Sequence, residues 1–316
     1  MCKIFRRVGI SRLFFVVVKF EFFVYLWYNK IHLYKGRYIS VDEKSIISLE
    51  NPNISVAKQK KHTPSTIQAD TLFTFTRKLE FLIPYIKNRI IPPRYCVEDI
   101  SYLKIRKLKK IAIPMKCFCD INMHRLDVHL GWYGYYGLAF SKEWGMNRGI
   151  QPIQYINQHS ELCKDFSKAF SAALSAPIAK KNSPQEKMKN FLLHELMYYK
   201  PYDGKMENRN TGKIEKKCFT DECEWRFIPD VTVAGFEQAF HGDMILNAGV
   251  LEEISNSMSN ISEISLPFEY DDLKYIIVKT RADFEKLTCE ISDLADDIQH
   301  ELISKVVIWD VSRRDF

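Results

Sequence analysis

Cys218-Phe-Thr-Asp-Glu-Cys-Glu-Trp-Arg-Phe-Ile-Pro229 carries the most informative local pattern in the chain. Side chains on a strand point alternately to its two faces, so Cys223, Trp225 and Phe227 share one side and Glu222, Glu224 and Arg226 the other. Two readings of the charged side stay open. The three residues either face solvent, where Glu and Arg two apart pair for under about 1 kcal/mol, or they converge on a ligand or a partner.

Upstream of this strand, residues 202–217 are charged and polar, contain Gly204 and Gly212, and show no apolar periodicity, which predicts a mobile surface loop. Before it, Ser183-Pro184-Gln185-Glu186 supplies an N-cap, a proline at the first helical position and a glutamate for a capping box. Met188, Leu192, Leu196 and Tyr199 form the buried stripe of that helix, and Leu162, Phe166, Ala169 and Phe170 that of a helix beginning at Glu161. Ile153–Ile156, Tyr136–Phe140, Ile111–Cys119 and Thr71–Thr76 read as strands. Leu79, Leu82, Ile83 and Ile86 fall at helical spacing, with Thr76 as cap and Pro84 as the site of a kink. Gly131-Trp-Tyr-Gly134-Tyr-Tyr-Gly137 reads either as an aromatic turn between strands or as a ligand platform.

Downstream, Leu273–Val278 is a strand, and Phe284, Leu287, Ile291, Leu294, Ile298 and Leu302 form one long helical stripe. Val306–Trp309 closes the chain as a strand, giving a C-terminal strand–helix–strand unit. Together these elements predict an α+β fold over residues 67–316: mixed, mostly antiparallel strands in two small sheets, with about four flanking helices.

Composition sets outer bounds on function. The chain has 316 residues, 46 Lys+Arg against 39 Asp+Glu, and 46% hydrophobic residues, which supports a sizeable core and excludes disorder, collagen and coiled coil as global descriptions. Charge is unevenly placed. Residues 1–66 carry 12 basic and 4 acidic groups, residues 67–229 carry 27 and 17, and residues 230–316 carry 7 and 18. The segment 67–229 therefore suits a polyanion such as nucleic acid.

Residues 1–66 read as a hydrophobic and basic extension ending in a linker. Within it, Leu13–Tyr28 is apolar but interrupted by Lys19 and Glu21, so its uncharged runs fall short of the roughly 18–20 residues that span a bilayer, and no integral membrane insertion is expected. The eight cysteines are irregularly spaced, which points to reduced thiols and a cytoplasmic protein. Cys117 and Cys119, Cys218 and Cys223, His124 and His129 have the chemistry of metal ligands, but the apolar setting of the first pair favours buried thiols, and no metal is expected. Asp120 reads as a turn cap and His129 as a packed histidine. No phosphate-binding loop, dinucleotide fingerprint, His-Glu-x-x-His or Gly-x-Ser-x-Gly signature is present.

Six segments carry a resemblance in their order. Thr71-Leu-Phe-Thr-Phe-Thr76, Pro93-Arg-Tyr-Cys-Val-Glu-Asp-Ile100, Ile113-Pro-Met-Lys-Cys-Phe-Cys-Asp-Ile121, His129 with Tyr133-Gly-Tyr-Tyr-Gly137, Trp144-Gly-Met-Asn-Arg-Gly149 and Asp221-Glu-Cys-Glu-Trp-Arg226 together resemble the AbiGi family of abortive phage infection proteins. The resemblance covers about residues 67–316. It implies an anti-phage defence protein, the antitoxin or regulatory half of a two-gene system whose other product is a nucleotidyltransferase-like toxin and the cognate partner.

A more distant likeness is to ADP-ribosyltransferase folds, which end a late strand in Glu-x-Glu. It implies NAD as cofactor, Glu224 as the catalytic carboxylate with Glu222 beside it, and Tyr133 or Tyr136 stacked on nicotinamide. Thr74, Thr76 and His129 would complete the cofactor-binding set. Thr74 stands where that pattern has a histidine, and a hydroxyl supplies a hydrogen bond without the reach or charge of an imidazole. Two functional classes follow: a regulatory defence protein that binds a partner, or an enzyme that modifies nucleic acid or protein with NAD.

Overall fold

The computed structural model describes residues 63–315 apart from 178–179, 181, 209–210, 243–244 and 246. The extension expected over 1–66 lies outside the described residues except for its last stretch, 63–66.

In chain order, β1 (Thr71–Thr76) leads into α1 (Leu79–Asn88), then β2 (Ile90–Ile91), β3 (Arg94–Asp99) and β4 (Lys110–Cys119). Next come α2 (Leu126–Tyr133), β5 (Tyr136–Ser141), α3 (Lys142–Asn147), β6 (Gln151–Pro152), β7 (Gln154–Ile156), α4 (Glu161–Ser175) and α5 (Pro184–Tyr198). The middle of the chain is β8 (Tyr199–Pro201), β9 (Asp203–Glu207), β10 (Ile214–Cys218), β11 (Glu224–Phe227), β12 (Phe240–His241) and α6 (Ala248–Ser257). It closes with β13 (Leu266–Pro267), β14 (Leu273–Val278), α7 (Arg281–Glu290), α8 (Asp296–Ser304), β15 (Val306–Ile308) and α9 (Trp309–Ser312).

The fold is α+β, but among the described residues the two small sheets expected from the sequence are replaced by one nine-stranded sheet and three two-stranded pairs. The main path runs β15-β14-β5-β1-β4-β11-β6, with β3 and β12 also bonded to β4. β4 makes the difference. Its first half pairs with β3 from Lys110 to Met115, and its second half pairs with β11 from Lys116 to Cys119. Within this sheet β14 and β15 run parallel, as a strand–helix–strand unit requires, and the other pairings are antiparallel.

Register divides the side chains between the faces. Phe73 and Glu224 both stand opposite Cys119, so they share its face, and Leu72, Phe118 and Trp225 take the reverse. On the reverse face Leu72, Phe118, Phe140 and Ile276 pack under α1, α7 and α8 through Leu82, Ile86, Leu287 and Leu302. On the other, Phe73, Cys119 and Ala139 meet Leu126 and Leu130 of α2 and Trp309 of α9. A third apolar cluster joins Ile111, Ile113 and Met115 of β4 to Phe166 and Phe170 of α4 and Leu193 and Leu196 of α5.

Several local expectations change on contact with this packing. In place of the loop expected over 202–217, β9 and β10 pair antiparallel, their outward side chains being the charges that masked the strand pattern. Leu162, Ala169 and Met188 are exposed, and Cys163, Leu193 and Met197 fill the buried stripes instead. Ser183 caps α5 by accepting from the Glu186 N–H, as expected, while the Glu186 carboxylate reaches Asn182 N–H rather than the cap residue. Thr76 does not cap α1, where Lys78 holds the N-cap position without a side-chain bond; the Thr76 hydroxyl donates to the Lys78 carbonyl. The long C-terminal stripe is broken into α7 and α8 by a turn at Ile291–Leu294, and Trp309 opens α9 instead of ending a strand. Gly131–Gly137 is a helix-to-strand junction and not a turn between strands. α2 stops at Gly134, whose φ of 115° and whose space, 2.2 Å from a would-be Cβ to the Thr76 carbonyl oxygen, both exclude a side chain.

Candidate functional site

The charged side of β11 does not face solvent. Arg226 is 0% exposed, Glu224 6% and Glu222 3%, so the pattern Glu-x-Glu-x-Arg marks a buried site. Glu222 closes a short 3-10 turn (Phe219–Glu222), and Cys223 follows in the left-handed region at φ 42°. That step lets Glu222 and Glu224 converge although only Glu224 belongs to the strand.

Burying an isolated carboxylate or guanidinium costs several kcal/mol, so each here is paired. Glu224 accepts from Arg226 Nε at 2.7 Å on one oxygen and from Lys200 Nζ at 2.8 Å on the other. Arg226 also donates to the Met197 carbonyl at 2.6 Å, at the end of α5, and its Nη2 lies 3.3 Å from Glu98 of β3. Lys200, in β8, bridges Glu224 to Glu222, whose Oε2 is 2.5 Å away. The second oxygen of Glu222 takes Lys217 Nζ of β10 at 2.7 Å and the Tyr133 hydroxyl of α2. The Tyr155 hydroxyl accepts the Glu224 N–H at 2.9 Å. Three carboxylates, Glu98, Glu222 and Glu224, thus balance Lys200, Lys217 and Arg226.

The network is polarised to keep its charges. Burial works to raise Glu222 and Glu224, but Lys200 with Lys217, and Arg226 with Lys200, hold them below the ordinary carboxylate value. Burial opposes charge on Lys200 and Arg226 too, and the facing glutamates outweigh it and raise both. Lys217 is different: burial draws it down in spite of Glu222, so it is the first of the three cations to lose its proton as pH rises. Its ammonium also sits 4.5 Å over the Trp132 ring and 4.4 Å over that of Tyr133. His129 packs against Tyr133 at 4.6 Å and against Phe75 at 5.7 Å between ring centroids, and burial lowers it to about 4.

Of the residues singled out in the sequence, Glu222, Glu224, His129 and Tyr133 come together. Thr74, Thr76 and Tyr136 do not. Thr74 and Thr76 alternate with Phe73 and Phe75, and Tyr136 stands opposite Thr76, so all three lie on the reverse face of the sheet from Glu224. Tyr136 packs there with the cluster around α1 and α7.

NAD, which the ADP-ribosyltransferase likeness implies, does not fit these residues as they stand. Each oxygen of Glu222 and Glu224 already accepts from a cation or a hydroxyl, and the Tyr133 ring is taken up by Lys217 and His129. Asp120, expected as a turn cap, is instead buried in an ion pair with Lys142 at 2.7 Å. Cys117 and Cys119 lie within the packed sheet, and no group of three or more His, Cys, Asp and Glu able to hold a metal occurs among the described residues.

Lys200, Lys217 and Glu98 were not visible as site residues. Lys200 follows the apolar stripe of α5 within Tyr-Tyr-Lys-Pro, and Lys217 sits in a run of exposed charge. No local period separates them from solvated lysines. Glu98 carried no distinguishing signal either, since it shares a side of β3 with Arg94 as well as Cys96, and an alternating charged side reads as solvent-facing.

A family model described as "Putative abortive phage resistance protein AbiGi, antitoxin" matches residues 89–279, which include every member of the network. The chain belongs to the AbiGi family. Similar to it is the abortive phage resistance protein AbiGi of Lactococcus lactis subsp. cremoris, 33% identical over 253 residues, 71% of this chain and 98% of that protein. No solved structure matches the chain. The chain is thus a defence protein of the abortive phage resistance family, built around a largely buried cluster of six balanced charges. No helix among the described residues of this AbiGi chain is long and apolar enough to cross a membrane.

Proposed function

We propose that this AbiGi chain is the regulatory, antitoxin half of a two-gene abortive-infection system, acting in the cytoplasm by binding a cognate toxin-like protein through its domain of residues 67–316. One observation carries the reading. Glu222 and Glu224, the residues an NAD-using enzyme would need, are committed to Lys200, Lys217, Arg226 and Tyr133. A catalytic acid has to meet its substrate within hydrogen-bond reach, whereas a carboxylate closed between two cations holds strands together. The antitoxin wording of the matching family model supports the same side.

The test is co-expression with the product of the neighbouring toxin-like gene. Rescue of growth by the wild type and equally by Glu224→Gln, in folded form, supports a binding role. Transfer of label from NAD to cellular protein, RNA or DNA that Glu224→Gln abolishes would overturn it and make the protein an ADP-ribosyltransferase.

A further inference from the structure

The loop joining β3 to β4 ends in Lys104-Ile-Arg-Lys-Leu-Lys-Lys110, five cations in seven residues with no carboxylate among them. Lys104, Arg106, Lys107, Lys109 and Lys110 are all exposed, and none takes part in an ion pair among the described residues. The apolar residues between them hold the loop to the body. Leu103 is 1% exposed and Ile105 0%, both in the cluster with α4 and α5, and Leu108 packs against it. Backbone bonds from Ile100 N–H to the Lys109 carbonyl at 2.8 Å and from Leu108 N–H to the Ile105 carbonyl at 2.9 Å close the turn. Arg106 donates to Ser175 at the end of α4, so one cation is fixed in direction.

The neighbouring acids are turned aside. Glu98 points to Arg226 in the buried network, leaving Asp99, which accepts from the Ser101 N–H at 2.8 Å and stands opposite Lys110 in the ladder. The result is a basic ridge with a clear excess of positive charge, five cations against the single carboxylate of Asp99. It carries no exposed large apolar side chain between Ser101 and Lys110. Protein interfaces are anchored by buried aromatic and aliphatic groups, which this ridge lacks, while phosphate contacts require only placed cations. With no exposed aromatic ring between Ser101 and Lys110, the segment itself offers nothing for bases to stack on.

From this we infer that the Lys104–Lys110 turn is a contact for the phosphodiester backbone of nucleic acid, and that it reads charge and not sequence. The inference stands apart from the antitoxin reading, since a toxin-binding protein can carry it or lack it.

The experiment measures anisotropy of a labelled single-stranded RNA and a labelled DNA duplex with the full chain over a series of salt concentrations. The combined variant Lys104→Gln, Arg106→Gln, Lys107→Gln, Lys109→Gln, Lys110→Gln is compared with wild type. Wild type should bind with log affinity falling linearly in log salt. The variant should lose roughly tenfold or more, with a slope shallower by about 0.7–0.9 for each phosphate contact removed. A lighter variant, Lys107→Gln with Lys109→Gln, should fall between, and it secures the result should the fivefold one fold poorly. Lys164→Gln with Lys168→Gln, whose ammonium groups are paired to Glu161 and Asp165 on α4, should change little.

Preference for RNA or for duplex names the source of the backbone. Unchanged affinity and slope in both turn variants would overturn the inference. So would a loss per charge no greater than in the α4 control, or wild-type binding to polyglutamate or to phosphatidylglycerol vesicles tighter than to either nucleic acid at equal charge concentration.

Discussion

The Glu224 network and the Lys104–Lys110 turn meet at β3, and they treat charge in opposite ways. In the network, three acids and three bases from β3, β8, β10, the turn before β11 and β11 itself cancel in a buried setting. On the turn, five cations stand in water with no acid paired to them. Glu98 links the two, because by facing Arg226 it completes one and uncovers the other. Buried charges hold a structure in one arrangement and are costly to unpair, whereas exposed like charges cost little locally and act at a distance on a polyanion.

Arg226→Met leaves Glu224 and Glu98 without their guanidinium in a buried site, and chemical denaturation should show a loss of about 3–5 kcal/mol. Lys200→Met should cost less, about 2–3 kcal/mol, because Lys217 still faces Glu222 and Arg226 still faces Glu224. If both losses were under about 0.5 kcal/mol, the network would behave like surface pairs and the contrast with the turn would vanish.

Acid acts on the buried region and leaves the turn charged. His129 is lowered from 6.5 to about 4, so its contribution to stability is complete above about pH 6.5 and is lost as pH falls from there toward 4. Glu222 and Glu224 are held below 4.5, so theirs is complete above 4.5 and is lost only as pH drops toward their lower folded values. Denaturation midpoints across this range should therefore decline in two stages, and His129→Gln should shrink the first while leaving the second, with the remainder of the first belonging to His194, which burial also lowers. The smallest effect belongs to the turn. Lys107→Gln should leave stability within about 0.5 kcal/mol, because nothing in the fold depends on that charge.

Much of the fold was legible in the sequence because its signal is local. The strands at Thr71, Ile111, Tyr136 and Leu273 carry apolar alternation or runs, and α5 begins at its Ser-Pro signature as read. The β9–β10 pair was illegible because both its strands are charged and mostly exposed, leaving no apolar alternation to read. The single large sheet was illegible because it depends on one strand pairing with different partners along its length. In the candidate site, Glu222, Glu224, His129 and Tyr133 stood out by residue type, but whether Glu-x-Glu-x-Arg lies in water or in the core is decided by Lys200 and Lys217, which arrive from other strands. The separation of Thr74, Thr76 and Tyr136 from Glu224 follows from register, which a pattern of residues along one strand does not contain.

β4 has a consequence for how the molecule opens. Ten residues long, it is bonded to β3 and β12 at one end and to β11 and β1 at the other, so the cluster under α4 and α5 and the cluster under α1, α7 and α8 hang on the same backbone. Neither can detach by fraying while β4 stays in place. In native-state hydrogen exchange its bonded amides should be among the slowest in the chain and should exchange through global unfolding alone, while those of the β9–β10 pair escape by small local openings.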